Sequence, residues 1–389
     1  MRGFTILKPD YNGQSIVNLM SSVTKGLGGK TIYKELKYLS AKDISKHKNV
    51  VLLIIDGLGY NYLIRNGKDS ILKYNLKARM TSVFPPTTAT CVTTFATGVA
   101  PQQHGITGWF VYLKELGMIT TILRTRPRVN GSSFSEAGID LNRIFTEKSL
   151  ASKIKVRSYT VIHDDILKSD YNMINNRCSK MLGYKNLSGC FKGIKKAISQ
   201  RGRKYVYAYW GSLDHFAHET GMNSKSTYKH FRSIDEHVKK LAKYLEGKDT
   251  LLIITADHGL IDTSKERTIL LENHPRLNEC LTLNFSGETR CAYCYVKPEK
   301  LKQFKGYIKK YLKKEFYLIK SEELIKRNFY GLYAPHPRLS DRIGDYALIA
   351  KENYIIIDAL LGQGEKIPIG NHGGVSKEEM YVPLIIIKS

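Results

Sequence analysis

Aspartate and histidine residues recur in this sequence directly after short apolar runs, in positions where they could bind metal ions. Asp56 ends the run at 50–55, and two nearby glycines would let the backbone turn sharply beside its carboxylate. Asp214 and His218 follow another run and are four residues apart, so in a helical turn their side chains would share one face. A carboxylate and an imidazole on one face can bind a divalent cation.

Two further clusters complete this pattern. Asp257 and His258 close a third apolar run, and the glycine after them favours a turn that would aim both side chains into one crevice. His372 stands alone in a glycine-rich loop ahead of the last apolar run. Each cluster by itself is common in turns and loops. Together, however, three carboxylates and three histidines that all follow buried runs meet the needs of two divalent cations in a phosphoryl-transfer site.

A threonine-rich segment between the first two clusters could supply a nucleophile. Pro85 and Pro86 precede a run of threonines that ends at Gly98, which predicts a short helix that begins at the crevice. The N-terminus of such a helix would bind phosphate, and a metal-coordinated hydroxyl of Thr87 or Thr88 could attack phosphorus to give a covalent phospho-threonine. The alternative, a purely structural buried helix, is disfavoured by the poor helix propensity of threonine.

The elements that must position these residues are buried strands that alternate with amphipathic helices. Apolar runs predict strands at 49–56, 158–162, 204–210, 250–255, 345–350 and 383–388. Between them, segments such as 227–245 carry apolar residues at helical spacing. This alternation predicts an α/β sheet covered by helices on both faces, with ligands bound at the carboxyl ends of its strands.

The chain is predicted to form a single domain over residues 1–389. No linker divides it, and the less regular segments 263–290 and 328–345 are predicted to be lid or edge insertions. The cysteines are scattered, which favours reduced thiols over a disulfide framework. The sequence shows no apolar stretch of signal-peptide or membrane-spanning length, so residence in the cytoplasm is expected, and the oligomeric state is left open.

The charge of the chain points to anionic partners. Its 389 residues include 61 Lys and Arg against 35 Asp and Glu, a formal net charge of +26. A hydrophobic content of 42% is too high for a disordered basic tail. The excess of positive charge is compatible with a basic protein that binds nucleic acid without catalysis, or with a field that steers a phosphate substrate.

The combined motifs resemble the alkaline phosphatase superfamily, and most closely its type I phosphodiesterase/nucleotide pyrophosphatase branch. From about residue 49 onward the chain carries, in order, the motifs D-G-L-G, F-P-P-T-T-A-T, T-G, H-G-I, L-D-H-F-A-H, A-D-H-G and N-H-G-G. The resemblance implies a three-layer α/β/α alkaline-phosphatase-like fold with inserted cap or lid segments. It also implies a hydrolase that binds two metal ions.

The resemblance assigns roles to individual residues. Alignment on the T-G motif places the nucleophile at Thr88. The implied ligands of one metal ion are Asp56, Thr88, Asp257 and His258, and those of the other are Asp214, His218 and His372. Zinc is the usual ion of the family, with manganese or iron as alternatives. Cys91 stands where nucleotide pyrophosphatases carry an asparagine that contacts the phosphoryl group, so Cys91 marks the expected position of a substrate contact.

The function that follows is hydrolysis of phosphodiester or nucleotide pyrophosphate bonds through a phospho-threonine on Thr88. The expected partner is a small phosphate ester or nucleotide. Within the same superfamily, a phosphomonoesterase, a phosphonate hydrolase or a phosphomutase is the alternative, because each can use a related metal site. A basic nucleic-acid-binding protein is the alternative from another class.

Overall fold

The computed structural model describes residues 6–358, 360 and 367–389. The strands in chain order are β1 (Asn49–Ile55), β2 (Leu76–Thr81), β3 (Phe110–Leu113), β4 (Met118–Thr121), β5 (Arg126–Pro127), β6 (Arg157–His163), β7 (Ser179–Tyr184), β8 (Lys204–Trp210), β9 (Thr250–Thr255), β10 (Ile261–Asp262), β11 (Thr268–Leu270), β12 (Ser286–Glu288), β13 (Cys291–Cys294), β14 (Phe316–Lys320), β15 (Tyr346–Ala350), β16 (Ile355–Ile357), β17 (Gly370–Asn371) and β18 (Tyr381–Lys388).

The α-helices vary from single turns to six turns. They are α1 (Ile16–Gly26), α2 (Ala41–Ser45), α3 (Tyr60–Asn66), α4 (Ile71–Tyr74), α5 (Thr88–Thr97), α6 (Pro101–His104), α7 (Leu150–Lys153), α8 (Asp164–Leu167), α9 (Asp170–Asn175), α10 (Leu187–Ile198), α11 (Ser212–Thr220), α12 (Lys225–Leu245), α13 (Pro275–Asn278), α14 (Leu301–Tyr307), α15 (Ser321–Lys326), α16 (Leu339–Arg342) and α17 (Lys377–Met380). None of these described helices is long and apolar enough to cross a membrane.

A seven-stranded sheet, here called the main sheet, forms the centre of the fold. Its strand order is β2-β18-β9-β1-β8-β6-β7, and the strands from β9 to β7 run parallel. Every residue of β1 and β9 is buried, so both faces of the sheet are covered, as the apolar centres of these strands require. The α/β fold expected from the sequence is therefore confirmed. The last strand, β18, departs from the parallel arrangement and pairs antiparallel with β9 and β2.

A second seven-stranded sheet is entirely antiparallel, in the order β14-β15-β13-β12-β3-β4-β5. The strand predicted at 345–350 is present as β15, but it lies in this sheet, between β13 and β14. The expectation that it belongs to the doubly covered parallel sheet is wrong. An apolar run indicates a buried strand. Which sheet the strand joins depends on its pairing with strands that are distant in sequence.

The two segments predicted to be insertions both pack with the second sheet. Residues 263–290 contain β12 and contribute Leu277 and Phe285 to an apolar core beside this sheet. Residues 328–345 contribute Phe329 and Tyr330, which pack against Phe84. A role for either segment as a lid stays a prediction. All six cysteines are free thiols, as expected.

A buried ion pair joins the second sheet to the loop that carries His372. Arg290 lies between β12 and β13, and its Nε and Nη2 donate to the two carboxylate oxygens of Glu379 in α17 at 2.6 and 2.9 Å. Both side chains are fully buried. Glu379 also accepts from the backbone N–H of Gly374, two residues after His372, at 2.7 Å. The Glu379 carboxylate thus holds both the second sheet and the histidine loop.

Removal of the Glu379 carboxylate is expected to destabilise the protein strongly. Glu379→Ala leaves the Arg290 charge buried and unpaired, which should lower the free energy of unfolding by about 3–5 kcal/mol in urea denaturation. Lys326→Ala is the control, because Lys326 pairs with Glu322 on the surface, where loss of an ion pair should change the free energy of unfolding little. Equal effects of the two substitutions would contradict a structural role for the buried pair.

Candidate active site

The predicted metal ligands come together at the carboxyl ends of three adjacent strands. Asp56 follows β1, Asp257 follows β9, and Asp214 lies in the first turn of α11, which follows β8. Because β9, β1 and β8 are parallel neighbours, their carboxyl ends meet at one edge of the sheet. Gly57 (φ +75°) makes the turn beside Asp56, and a Cβ there would come within 3.2 Å of the Asp214 backbone. The glycine therefore allows two of the carboxylates to approach each other.

The first group of ligand candidates surrounds one imidazole nitrogen. His258 Nε2 lies 3.5 Å from Asp56 Oδ1 and 3.6 Å from Asp257 Oδ2, and the three side chains are almost fully buried. Thr88 Oγ1 lies 3.2 Å from the same nitrogen. The four residues that the family resemblance assigns to one metal ion are therefore neighbours, and one atom each of Asp56, Asp257 and His258 lies close enough to the others to share a cation.

The second group lies directly beside the first. Asp214 Oδ2 is 3.1 Å from His218 Nε2, and the His372 ring lies 5.2 Å from the His218 ring and stacks on the His258 ring at 3.9 Å. His218 Nδ1 is 2.7 Å from the carbonyl oxygen of Gly370. A carbonyl only accepts, so Nδ1 carries a proton, and in the neutral imidazole Nε2 is then the nitrogen that can bind a metal ion.

Several atoms at this site are buried without a hydrogen-bond partner among the described residues. They are Asp56 Oδ1, Asp214 Oδ1, Asp257 Oδ2 and His372 Nδ1. A buried polar atom without a partner is costly, and native structures contain few of them. Carboxylate oxygens and an imidazole nitrogen gathered in this way fit divalent cations, which would satisfy all four atoms.

The site concentrates negative charge in a region from which water is largely excluded. Burial, followed by repulsion from Asp257 and Asp214, raises the pKa of Asp56 well above its usual range. Burial acts in the same direction on Asp214, but attraction to His218 outweighs it and holds the pKa of Asp214 well below its usual range. Burial opposes protonation of His218, yet the Asp214 carboxylate raises its pKa to about 9. The protein alone thus balances these charges poorly, and a cation would relieve the repulsion.

The predicted threonine-rich helix is confirmed as α5, which begins at Thr88. Gly98 caps its C-terminus in the left-handed conformation (φ +76°). The two candidate hydroxyls point to different partners. Thr87 Oγ1 donates to Glu288 Oε1 at 2.5 Å, whereas Thr88 Oγ1 faces His258. Only the Thr88 hydroxyl thus lies beside the first group of ligand candidates.

Cys91 lies on the core side of the site. It is fully buried, its Sγ is 3.2 Å from Ser82 Oγ, and Ser82 in turn donates to the backbone carbonyl of Asp257. Cys91 therefore supports the chain that carries a predicted metal ligand. Its predicted contact with substrate stays a prediction.

Two polar side chains at the site were not predicted from the sequence. The Tyr209 hydroxyl donates to Asp56 Oδ2. Tyr209 lies near the carboxyl end of the buried strand β8, and a polar side chain at that place was a signal available in the sequence. Glu288 Oε1 accepts from Thr87 Oγ1 and, at 2.6 Å, from the backbone N–H of Trp109. Burial, partly offset by these two hydrogen bonds, raises the pKa of Glu288 to about 7. No local pattern marks Glu288, because it lies on the short strand β12 of the second sheet.

The sequence profile of the type I phosphodiesterase/nucleotide pyrophosphatase family matches residues 50–375. The chain belongs to this family. Family membership makes the protein a metal-dependent hydrolase that acts on phosphate esters, and the matched range includes every predicted metal ligand. A comparison with curated proteins found no match.

Solved structures of low sequence identity share the fold of this chain. Murine ectonucleotide pyrophosphatase/phosphodiesterase 5 superimposes with a TM-score of 0.63 at 19% identity, covering 86% of this chain and 87% of the murine chain. The human protein of the same name gives a TM-score of 0.64 at 18% identity, with 87% of each chain covered. At this level of identity the likeness establishes the alkaline-phosphatase-like fold.

Removal of a single histidine should remove a metal ion. We expect the wild-type protein, stripped with EDTA and reloaded with zinc, to retain about two ions per chain, and His218→Ala to retain about one. His215→Ala is the matched control, since His215 lies in the same helix but is largely exposed and pairs with Glu219. Metal content is measured by mass spectrometry of the dialysed protein. Equal metal content in both variants would show that His218 is not a ligand.

Proposed function

We propose that the protein hydrolyses phosphodiester or nucleotide pyrophosphate bonds with Thr88 as its nucleophile. The observation that carries this proposal is the position of Thr88 Oγ1, 3.2 Å from His258 Nε2 at the first residue of α5. The same hydroxyl thus adjoins a cluster suited to a cation and the N-terminus of a helix, which favours bound phosphate. Both features are needed when a hydroxyl attacks an anionic phosphorus centre.

The side chains would share the reaction as follows. Asp56, Asp257 and His258 would hold one divalent cation beside Thr88, and the second group would hold another. Bound cations supply Lewis acidity, which favours an ionised Thr88 hydroxyl near neutral pH and neutralises charge on the departing oxygen. Thr88 Oγ1 forms a bond to phosphorus while the bond to the leaving oxygen breaks, and water then displaces Thr88 from phosphorus. First-turn amides of α5, which lack partners within the helix, are available to bind the phosphoryl oxygens.

The ligand chemistry favours zinc. Three imidazoles and three carboxylates form a mixed nitrogen and oxygen set, which zinc binds readily, whereas manganese and iron are the alternatives. The second group would consist of Asp214, His218 and His372.

We propose a nucleotide as the substrate class, because an inactive variant of the murine relative was solved in complex with AMP. Location in the cytoplasm stays a prediction.

Loss of the Thr88 hydroxyl is expected to abolish turnover. Thr88→Ala should lower kcat/KM for bis-p-nitrophenyl phosphate in the presence of zinc by at least about a thousandfold, because the nucleophile is removed. Thr88→Ser keeps a hydroxyl and should retain measurable activity. Release of p-nitrophenol is followed by absorbance.

Thr97→Ala is the matched control, since Thr97 lies at the opposite end of the same helix and donates only to the Thr93 carbonyl. Its activity should remain close to wild type. Near wild-type hydrolysis by Thr88→Ala would contradict the assignment of the nucleophile. A wild-type enzyme that strongly prefers p-nitrophenyl phosphate to the diester would instead favour the phosphomonoesterase alternative.

A further inference from the structure

Glu288 extends from the second sheet to the segment that carries the proposed nucleophile. Its Oε1 accepts from Thr87, the residue directly before Thr88, and from the backbone N–H of Trp109. On the other side, a Cβ placed on Gly373, the residue directly after His372, would lie 2.8 Å from the Glu288 Cβ. Glu288 thus stands between the nucleophile segment and the histidine loop.

The second oxygen of this carboxylate has no fixed partner in the part of the chain that the structure describes. Both hydrogen bonds go to Oε1, and Glu288 is half-buried rather than sealed in the core. The charges of His218 and Asp214 act on the Glu288 carboxyl, which places it within electrostatic range of the second ligand group. An anion bound beside Thr88 would therefore experience the Glu288 charge.

The charge of Glu288 matters because the charges of the predicted metal site are balanced without it. Asp56, Asp214 and Asp257 contribute three negative charges, and an ionised Thr88 contributes a fourth, which two divalent cations would balance. The pKa of Glu288 is about 7, so above that pH Glu288 adds a negative charge that this set does not offset. Arg290 is close in sequence, but Glu379 binds its guanidinium through two hydrogen bonds. The Arg290 charge is therefore already paired.

Phosphate esters that bind beside Thr88 would differ in negative charge. A diester carries one negative charge, whereas a monoester carries close to two above neutral pH. We propose that Glu288 is a specificity-determining residue that disfavours dianionic phosphate monoesters and thereby favours monoanionic diesters at the Thr88 site. This inference rests on the proposed function and adds to it the class of ester that the site selects.

The substitution Glu288→Gln separates charge from positioning. Glutamine keeps an acceptor oxygen for Thr87 and Trp109 but removes the negative charge. The ratio of kcat/KM for bis-p-nitrophenyl phosphate to that for p-nitrophenyl phosphate is measured at about pH 8.5, where the monoester is dianionic. We expect the ratio to fall roughly tenfold in Glu288→Gln, mainly through faster monoester cleavage. Glu322→Gln, which removes an exposed carboxylate, should leave the ratio unchanged.

A binding measurement tests the same inference without turnover. In a Thr88→Ala background, calorimetry compares the affinity for AMP with that for its methyl phosphate ester, which has the same nucleoside and one charge fewer. Adding Glu288→Gln should tighten AMP binding roughly tenfold and leave binding of the methyl ester nearly unchanged. This readout depends on charge at the phosphate and not on the rate of chemistry.

The outcomes distinguish the two proposals. An unchanged substrate ratio and unchanged AMP affinity in Glu288→Gln would overturn the inference about Glu288. Equal losses on both substrates in Glu288→Ala, with full rescue by Glu288→Gln, would show that the side chain only positions the start of α5. If the wild-type enzyme cleaves neither ester, the proposed function fails, while the comparison of AMP with its methyl ester still decides whether Glu288 discriminates by charge.

Discussion

The mutual repulsion of three buried carboxylates is the constraint on which the rest of the site depends. Asp56, Asp214 and Asp257 lie at the ends of adjacent parallel strands because the main sheet places them there, and burial makes their shared charge costly. Such an arrangement is stable only if cations or protons compensate the charge. The inclusion of His258 in both clusters of ligand candidates favours cations, because imidazole and carboxylate atoms that lie this close together suit a metal ion.

The second sheet contacts this cluster from the side opposite the main sheet. The main sheet alone supplies the carboxylates, Thr88 and two of the histidines. The His372 loop is fixed from the other side, because Glu379 binds both the loop backbone and Arg290. Glu288, two residues before Arg290, extends from the same sheet to the start of α5. The antiparallel sheet therefore supports the loop of one predicted metal ligand, His372, and contacts the segment that carries Thr88.

The sequence predicted best those candidate site residues that are marked by a pattern in neighbouring residues of the chain. Asp56 and Asp257 could be found because a carboxylate directly after a buried strand is a local pattern, and the four-residue spacing of Asp214 and His218 is equally local. The sheet that contains β15 could not be predicted, since a strand's partners are set by distant segments. Glu288 was missed for the same reason, because about two hundred residues separate it from Thr87. Only the folded chain brings such positions together.

The strongly basic composition and the acidic site act over different distances. A net charge of +26 creates a field that attracts phosphate anions in general, and salt screens that field beyond roughly 10 Å. Attraction at long range cannot discriminate between a diester and a monoester, because it draws the more highly charged ion more strongly. Discrimination therefore has to arise at short range, where screening is weak. In our proposal, Glu288, which contacts the residue directly before Thr88, opposes at short range the preference that the overall charge would otherwise impose.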